Sequence, residues 1–191
     1  MSKLCRLSLE SVAFFQCDLH EELLSHAIKP VSVVFVAKMI AKAAHLLNLP
    51  FIVSELESKG PTAPEITAAW ETPPTCIVRR EQVSACTPEA LAVLQGKKSV
   101  VLFGLEAHAA VQQTCLDLLA RGFDVHLLVD GISCQSAITR SAAIERMAQA
   151  GAVLETYGSV LTGIIDKDFK KHSELIMHII KVRPTDPMPS L

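Results

Sequence analysis

Short apolar runs alternate with amphipathic stretches along the chain, and that alternation predicts strands and helices in turn. Val12–Cys17 is an apolar run, and an amphipathic helix over Val31–Leu47 follows. Phe51–Ser54 reads as a second strand, ending in a loop that holds Gly60, Pro61 and Pro64. Cys76–Arg79 is a third strand after Pro73-Pro74. Thr87-Pro88-Glu89 then reads as N-cap, first-turn proline and first-turn acid of a helix ending near Gly96. Ser99–Phe103 has the pattern of a buried strand, punctuated by Gly104, and a helix from about Ala107 to Ala120 closes at Arg121-Gly122. Val125–Val129 is the fifth strand, with Asp130-Gly131 as its turn. A helix over Gln135–Gln149, a strand at Val153–Thr156, and helices near Val160–Ile165 and Phe169–Lys181 complete the pattern. Six strands alternating with helices predict a three-layer α/β/α sandwich on a mainly parallel six-stranded sheet. One domain over residues 1–191 is expected, with its core at about 12–181 and a loose tail at 184–191 marked by Pro184, Pro187 and Pro189.

Half of the 191 residues are hydrophobic, enough to raise the question of a membrane. The best candidate span, Pro30 to Leu49, is broken by Lys38, Lys42 and His45, which share one helical face. That is the pattern of a helix lying on a core, so no membrane partner is expected. A formal net charge of −2, with the basic pairs Arg79-Arg80, Lys97-Lys98 and Lys170-Lys171 scattered, argues against nucleic-acid binding. The six cysteines show no CxxC pair, and several fall in apolar segments. They read as reduced thiols acting as small hydrophobes, which points to the cytoplasm. Lys3 and Arg6, with no acid before Leu9, leave a mitochondrial address open.

In parallel α/β sheets ligands bind outside the carboxyl ends of the strands, so the ends of the first, third and fourth strands carry the candidate chemistry. The first strand delivers Asp18, which burial would fit for acid–base work. Asp18 could equally be an N-cap, with Glu21 completing a capping box. The third strand ends in Arg79-Arg80, and alternation sends the two to opposite faces. One enters the cleft or both make surface salt bridges. The fourth leads through Gly104 into Leu105-Glu106-Ala107-His108-Ala109-Ala110, where free N–H groups and a helix dipole would depress the pKa of a thiol. The turn has no thiol; His108 is a base or a surface residue.

These residues stand in one order with Ser54-Glu55, Lys59-Gly60-Pro61-Thr62, Thr114, Leu116-Asp117-Leu118-Leu119, Arg121-Gly122, Asp124-Val125-His126 and Asp130-Gly131. Together, from about Val12 to Lys181, they resemble the isochorismatase-like family of the cysteine hydrolase superfamily, nearest its isochorismatase-domain-containing branch. Gly104–Ser136 carries the specific part of the likeness. The resemblance implies an Asp–Lys–Cys catalytic triad. Asp18 matches the aspartate, Arg80 stands at the lysine position and Ala110 at the cysteine position. It further implies substrate contacts at Glu55, Leu105, Glu106 and His108.

Arginine keeps the positive charge but gives up the proton chemistry of lysine. Alanine removes the nucleophile, which in units of this kind costs several orders of magnitude, while its N–H can still line an oxyanion pocket. Cys115 lies off the face of Ala110, and Cys86 and Cys134 read as structural. His20 and His26 do not match the zinc-ligand spacing of the nicotinamidase branch, so neither metal nor other cofactor is expected. The expected function is therefore that of a hydrolase-family protein with a degenerate site. It would bind a small carbonyl or carboxylate compound, with weak or no cysteine-type turnover, as a homo-oligomer. Whether it is an enzyme stays open. The alternatives are a cysteine-independent hydrolase using Asp18 as general acid, as isochorismate-cleaving members do, and a non-catalytic oligomeric interaction protein.

Overall fold

The computed structural model describes residues 6–182, 184–186 and 188. Lys3 of the N-terminal stretch and Pro187 and Pro189 of the tail lie outside the described residues. Six strands, β1 (Val12–Cys17), β2 (Phe51–Leu56), β3 (Cys76–Arg80), β4 (Ser99–Gly104), β5 (Asp124–Ile132) and β6 (Val153–Glu155), form one sheet in the order β3-β2-β1-β4-β5-β6. Every strand pair is parallel. All six residues of β1 and of β4 are buried, as strands covered on both faces require.

The helices are α1 (Glu21–His26), α2 (Pro30–Leu47), α3 (Pro64–Thr67), α4 (Pro88–Val93), α5 (Gln112–Ala120), α6 (Ala137–Gln149), α7 (Tyr157–Ile165) and α8 (Phe169–Lys181). The chain leaves β1 through α2 toward β2 and leaves β4 through α5 toward β5, in opposite directions along the sheet. Right-handed crossovers put those two helices on opposite faces. The crevice between them opens at the carboxyl ends of β1 and β4, where strand order reverses.

α2 has the length and hydropathy of a membrane span. Its apolar side chains instead meet the sheet and its neighbouring helices: Val33, Val36, Ala37, Ile40 and Ala44 are buried against β1, β4, β5, α7 and α8. The approach is close. A Cβ on Gly131 would lie 2.7 Å from a Val36 methyl carbon, so glycine lets α2 seat on the sheet.

That glycine corrects one expectation. Asp130-Gly131 does not form a turn; β5 runs on to Ile132, which pairs with Gly104 across a register shift. The Asp-Gly pair was read from local turn preference, but β4 supplies a pairing edge that extends the strand. A second correction concerns the expected continuous helix Ala107–Ala120. Ala107–Val111 is a wide helical turn in which the Val111 N–H donates to the Glu106 carbonyl, and regular helix starts at Gln112. The short helices α1 and α3 gave no periodic signal, and α7 starts three residues before the expected Val160. The Thr87 N-cap is in place, accepting from the Ala90 N–H at 3.4 Å.

Lengthening β5 carries Asp130 to the N-terminus of α7, where its two carboxylate oxygens accept from the Tyr157 N–H at 3.2 Å. Burial nevertheless dominates and pushes the Asp130 carboxyl up from 3.8 to about 6. The folded state thus holds this proton more tightly than the unfolded chain. The resulting stabilisation is complete below pH 3.8 and is lost as pH rises through about 6. Asp130→Asn, which keeps an acceptor for Tyr157, is expected to flatten a fall of about 3 kcal/mol, read by urea unfolding between about pH 4 and 7.5.

Candidate functional site

The carboxyl end of β1 turns sharply at Asp18, whose φ of 47° lies in the left-handed region that aspartate tolerates. Its N–H donates to the Ser54 carbonyl at 3.1 Å, continuing the β1–β2 ladder by one step. The side chain faces inward. Arg80 Nη2 donates to Asp18 Oδ2 at 2.5 Å and Ser54 Oγ donates to Oδ1 at 2.9 Å. Both charged side chains are buried, with relative exposures of 1% for Arg80 and 4% for Asp18.

Arg80 starts from β3, so it reaches across β2, roughly 10 Å of sheet. Ser54, small and on β2, leaves that path open and adds a donor to it. Arg80 Nη1 donates to the Gln82 carbonyl, while Nε is buried with no hydrogen-bond partner. Burial raises the Asp18 carboxyl above the usual carboxylate range, and the Arg80 charge and the Ser54 hydroxyl pull it back part-way.

This geometry removes the N-cap alternative for Asp18 and chooses between the two arginines. Asp18 does not cap α1: His20 holds the N-cap position without a side-chain cap bond, and the Asp18 carboxylate is committed to Arg80 and Ser54. Of the two arginines, Arg80 enters. Arg79 stays 70% exposed and pairs with Glu55 at 3.3 Å. The other oxygen of Glu55 accepts from the Thr62 N–H at 2.8 Å, fixing the loop after β2. His20 is equally structural. It is wholly buried, with Nδ1 3.1 Å from the Pro61 carbonyl and Nε2 accepting from the Leu56 N–H at 3.1 Å.

Beside Asp18 lies the start of the β4 turn. Cys17 pairs with Gly104 across the sheet, and the Leu105 N–H donates to the Cys17 carbonyl at 2.9 Å. Gly104 has φ +124°, and a Cβ there would fall 2.0 Å from the Cys17 carbonyl oxygen, so no other residue fits. Leu105 is wholly buried, Glu106 nearly so, and Ala110 is 4% exposed on the same turn. The His108 side chain is half exposed and stands 3.7 Å from Glu106. The Ala107 N–H donates to the Ser133 carbonyl at 2.9 Å, joining this turn to the segment after β5. That junction brings Cys134 to Glu106 and His108; one donor atom from each of the three lies within 4.8 Å of the others. Of the described residues, these three form the group suited to hold a metal ion.

The five described thiols are poor nucleophiles. Burial pushes Cys86 up to about 11 and Cys115 up to about 12, and it raises Cys17, Cys76 and Cys134 as well. A cavity of about 530 Å³ lined by Arg6, Ser11, Lys98, Glu155 and Lys167 sits at the amino ends of β1 and β4, away from Asp18. Fold geometry favours the carboxyl edge as the place for chemistry. Sequence pattern assigns neither Ser54 nor Cys134 a role in the site. Ser54 follows from β1–β2 adjacency; nothing in the spacing marks Cys134.

The isochorismatase domain pattern matches residues 12–158. The chain belongs to the isochorismatase family. It is 38% identical to isochorismatase domain-containing protein 1 of Danio rerio, over 95% of this chain. It spans 65% of that relative's length. Among solved structures, the MAR1 ribonuclease of Caenorhabditis elegans superposes with a TM-score of 0.89 at 30% identity, covering 98% of this chain and all of that one. The YcaC gene product of Escherichia coli, described as an octameric hydrolase of unknown specificity, gives 0.82 at 26% identity, covering 94% and 91%. The isochorismatase-family fold thus agrees with what the residue motifs implied.

Removing one member of a buried ion pair leaves the other uncompensated. Asp18→Ala is expected to destabilise the protein by about 3–5 kcal/mol in urea unfolding, because Arg80 stays buried without its counter-charge. Adding Arg80→Met should recover most of that loss.

Proposed function

We propose that this isochorismatase-family protein binds a small carbonyl or carboxylate compound at the carboxyl edge of β1 and β4, with weak or no cysteine-type turnover. The reading rests on one observation: a buried Asp18–Arg80 pair at 2.5 Å beside a turn that carries alanine, not a thiol, at position 110. Alanine forms no covalent intermediate, so the two-step route of a cysteine hydrolase is closed. The N–H of Ala110 and the polar groups Glu106 and His108 supply ligand contacts in this reading. Leu105 and Glu55, both buried, shape the site from behind.

A second reading, a cysteine-independent hydrolase, is favoured by the direction of the Asp18 shift, since burial raises its carboxyl above the usual carboxylate range and so eases proton delivery. In that case turnover survives alkylation of every cysteine and is lost in Asp18→Asn. Alkylation that abolishes turnover without unfolding the protein contradicts both readings.

The octameric hydrolase neighbour supports self-association here too, and the third reading is an oligomeric interaction protein without turnover. The neighbour named as a ribonuclease raises RNA as a substrate for this chain. A net charge of −2 and an arginine already committed to Asp18 weigh against it. A cytoplasmic, reducing setting suits the five described cysteines, all free.

Ala110→Cys tests the main reading. If the turn still carries the electrostatics of its family, the new thiol titrates below the ordinary ~8.5. The pH dependence of iodoacetamide labelling measures this, against a slow wild-type background to which the partly exposed Cys76 and Cys86 contribute. A value at or above ~8.5 favours the interaction-protein reading instead.

A further inference from the structure

We infer that Glu106, His108 and Cys134 form a binding site for a divalent ion of the zinc class. This goes beyond the ligand-binding reading: it shares Glu106 and His108 with that reading but rests on neither Asp18 nor Ala110. Three different donors converge there: a carboxylate oxygen, an imidazole nitrogen and a thiol sulfur, mutually within 4.8 Å. A tetrahedral zinc site with Zn–S near 2.3 Å and Zn–N or Zn–O near 2.0–2.2 Å separates its donors by about 3.3–3.6 Å. Glu106 and His108 stand at 3.7 Å already. The half-exposed His108 ring has room to close the remaining gap.

The independent sign of a missing partner is Glu106. The residue is 9% exposed; the Gln135 backbone serves its carboxylate, yet its Oε1 has no hydrogen-bond partner. A buried, unpartnered carboxylate oxygen costs free energy that a cation would offset. The mix of donors selects the ion. Oxygen-only cations such as Mg²⁺ and Ca²⁺ avoid thiolate, whereas sulfur with imidazole and one carboxylate suits Zn²⁺ and its neighbours. Three protein ligands would leave a fourth position open. That is the pattern of zinc sites which hold a water or a ligand rather than purely structural ones.

Binding has a definite proton balance. The Cys134 thiol now donates to the Ser136 carbonyl at 3.0 Å, and burial and the Glu106 charge raise it. On coordination the S–H proton passes to solvent and the sulfur binds as thiolate. The nearby Arg140 charge favours the thiolate, while its own donors serve the Ile132 and Val129 carbonyls. The framework is prepared for this. The Ala107–Ser133 hydrogen bond holds the two ligand-bearing segments together without the ion.

Titration of the apo protein with Co²⁺ and Zn²⁺ alone tests the site. One Co²⁺ per chain is expected, with the intense near-ultraviolet band of a thiolate–cobalt bond, and Cys134→Ser should abolish that band. His108→Ala alters a half-exposed side chain and spares the core. It should weaken Zn²⁺ binding about tenfold or more by calorimetry. Absence of the cobalt band in the wild type overturns the site. So does a Zn²⁺ affinity in His108→Ala equal to that of the wild type. Neither readout uses turnover, so failure here leaves the ligand-binding reading intact, and the Ala110→Cys result leaves this one intact.

Discussion

The Asp18–Arg80 ion pair ties the end of a central strand to the end of the edge strand β3, across β2. Each partner is almost inaccessible to water, so neither charge is tolerable without the other. Seating Arg80 beside Asp18 demands a small residue on β2, met by Ser54. It also demands that Asp18 leave the strand in a left-handed conformation that turns its carboxylate inward. The segment that follows Arg80 is held in turn, because the same guanidinium binds the Gln82 carbonyl. A buried pair of this kind is weak evidence for net stability, since well-packed apolar residues often do as well. Its place beside the strand-order reversal is the feature on which the proposed ligand-binding reading rests.

The other side of the crevice is governed by steric fit. Gly104 brings the β4 backbone against the Cys17 carbonyl, and the chain then enters a wide turn before α5 begins. That turn exposes His108 and buries Ala110 and Glu106. Electrostatics and shape thus come from different strands and meet at one edge. The crevice holds charge, donors and a helix start, with Ala110 where the proposed reading places the family's thiol. Among the described residues no other thiol substitutes, because burial outweighs the nearby cations and keeps the thiols protonated.

High hydropathy belongs to the interior of this fold. β1 and β4 are covered on both faces, and α2 lies against the sheet with its basic residues turned to the rim: Lys38 faces Glu65 at 3.7 Å, and His45 faces Glu71 at 3.2 Å. A helix between a sheet and two further helices must be apolar over most of its circumference, which is why α2 resembles a span by composition.

The sequence alone determined the order of strands and helices, because apolar period and capping residues such as Thr87 act over a few residues. It also determined which residue types are available: an aspartate, an arginine and an alanine at the matching positions. Tertiary structure decided what they do. Whether Asp18 would cap a helix or meet an arginine, and whether Arg79 or Arg80 would enter, depended on strand order and register. Both are set by contacts between residues 62 positions apart in the chain. The Asp130-Gly131 pair reads locally as a turn, yet β4 offers an edge that only the assembled sheet provides, and the strand continues. Cys134 shows the same limit from the other direction. It sits far along the chain from Glu106 and His108, and the Ala107–Ser133 hydrogen bond, a product of the fold, makes them neighbours. Local preferences are written residue by residue; a site assembled from four strand ends is written in the packing that joins them.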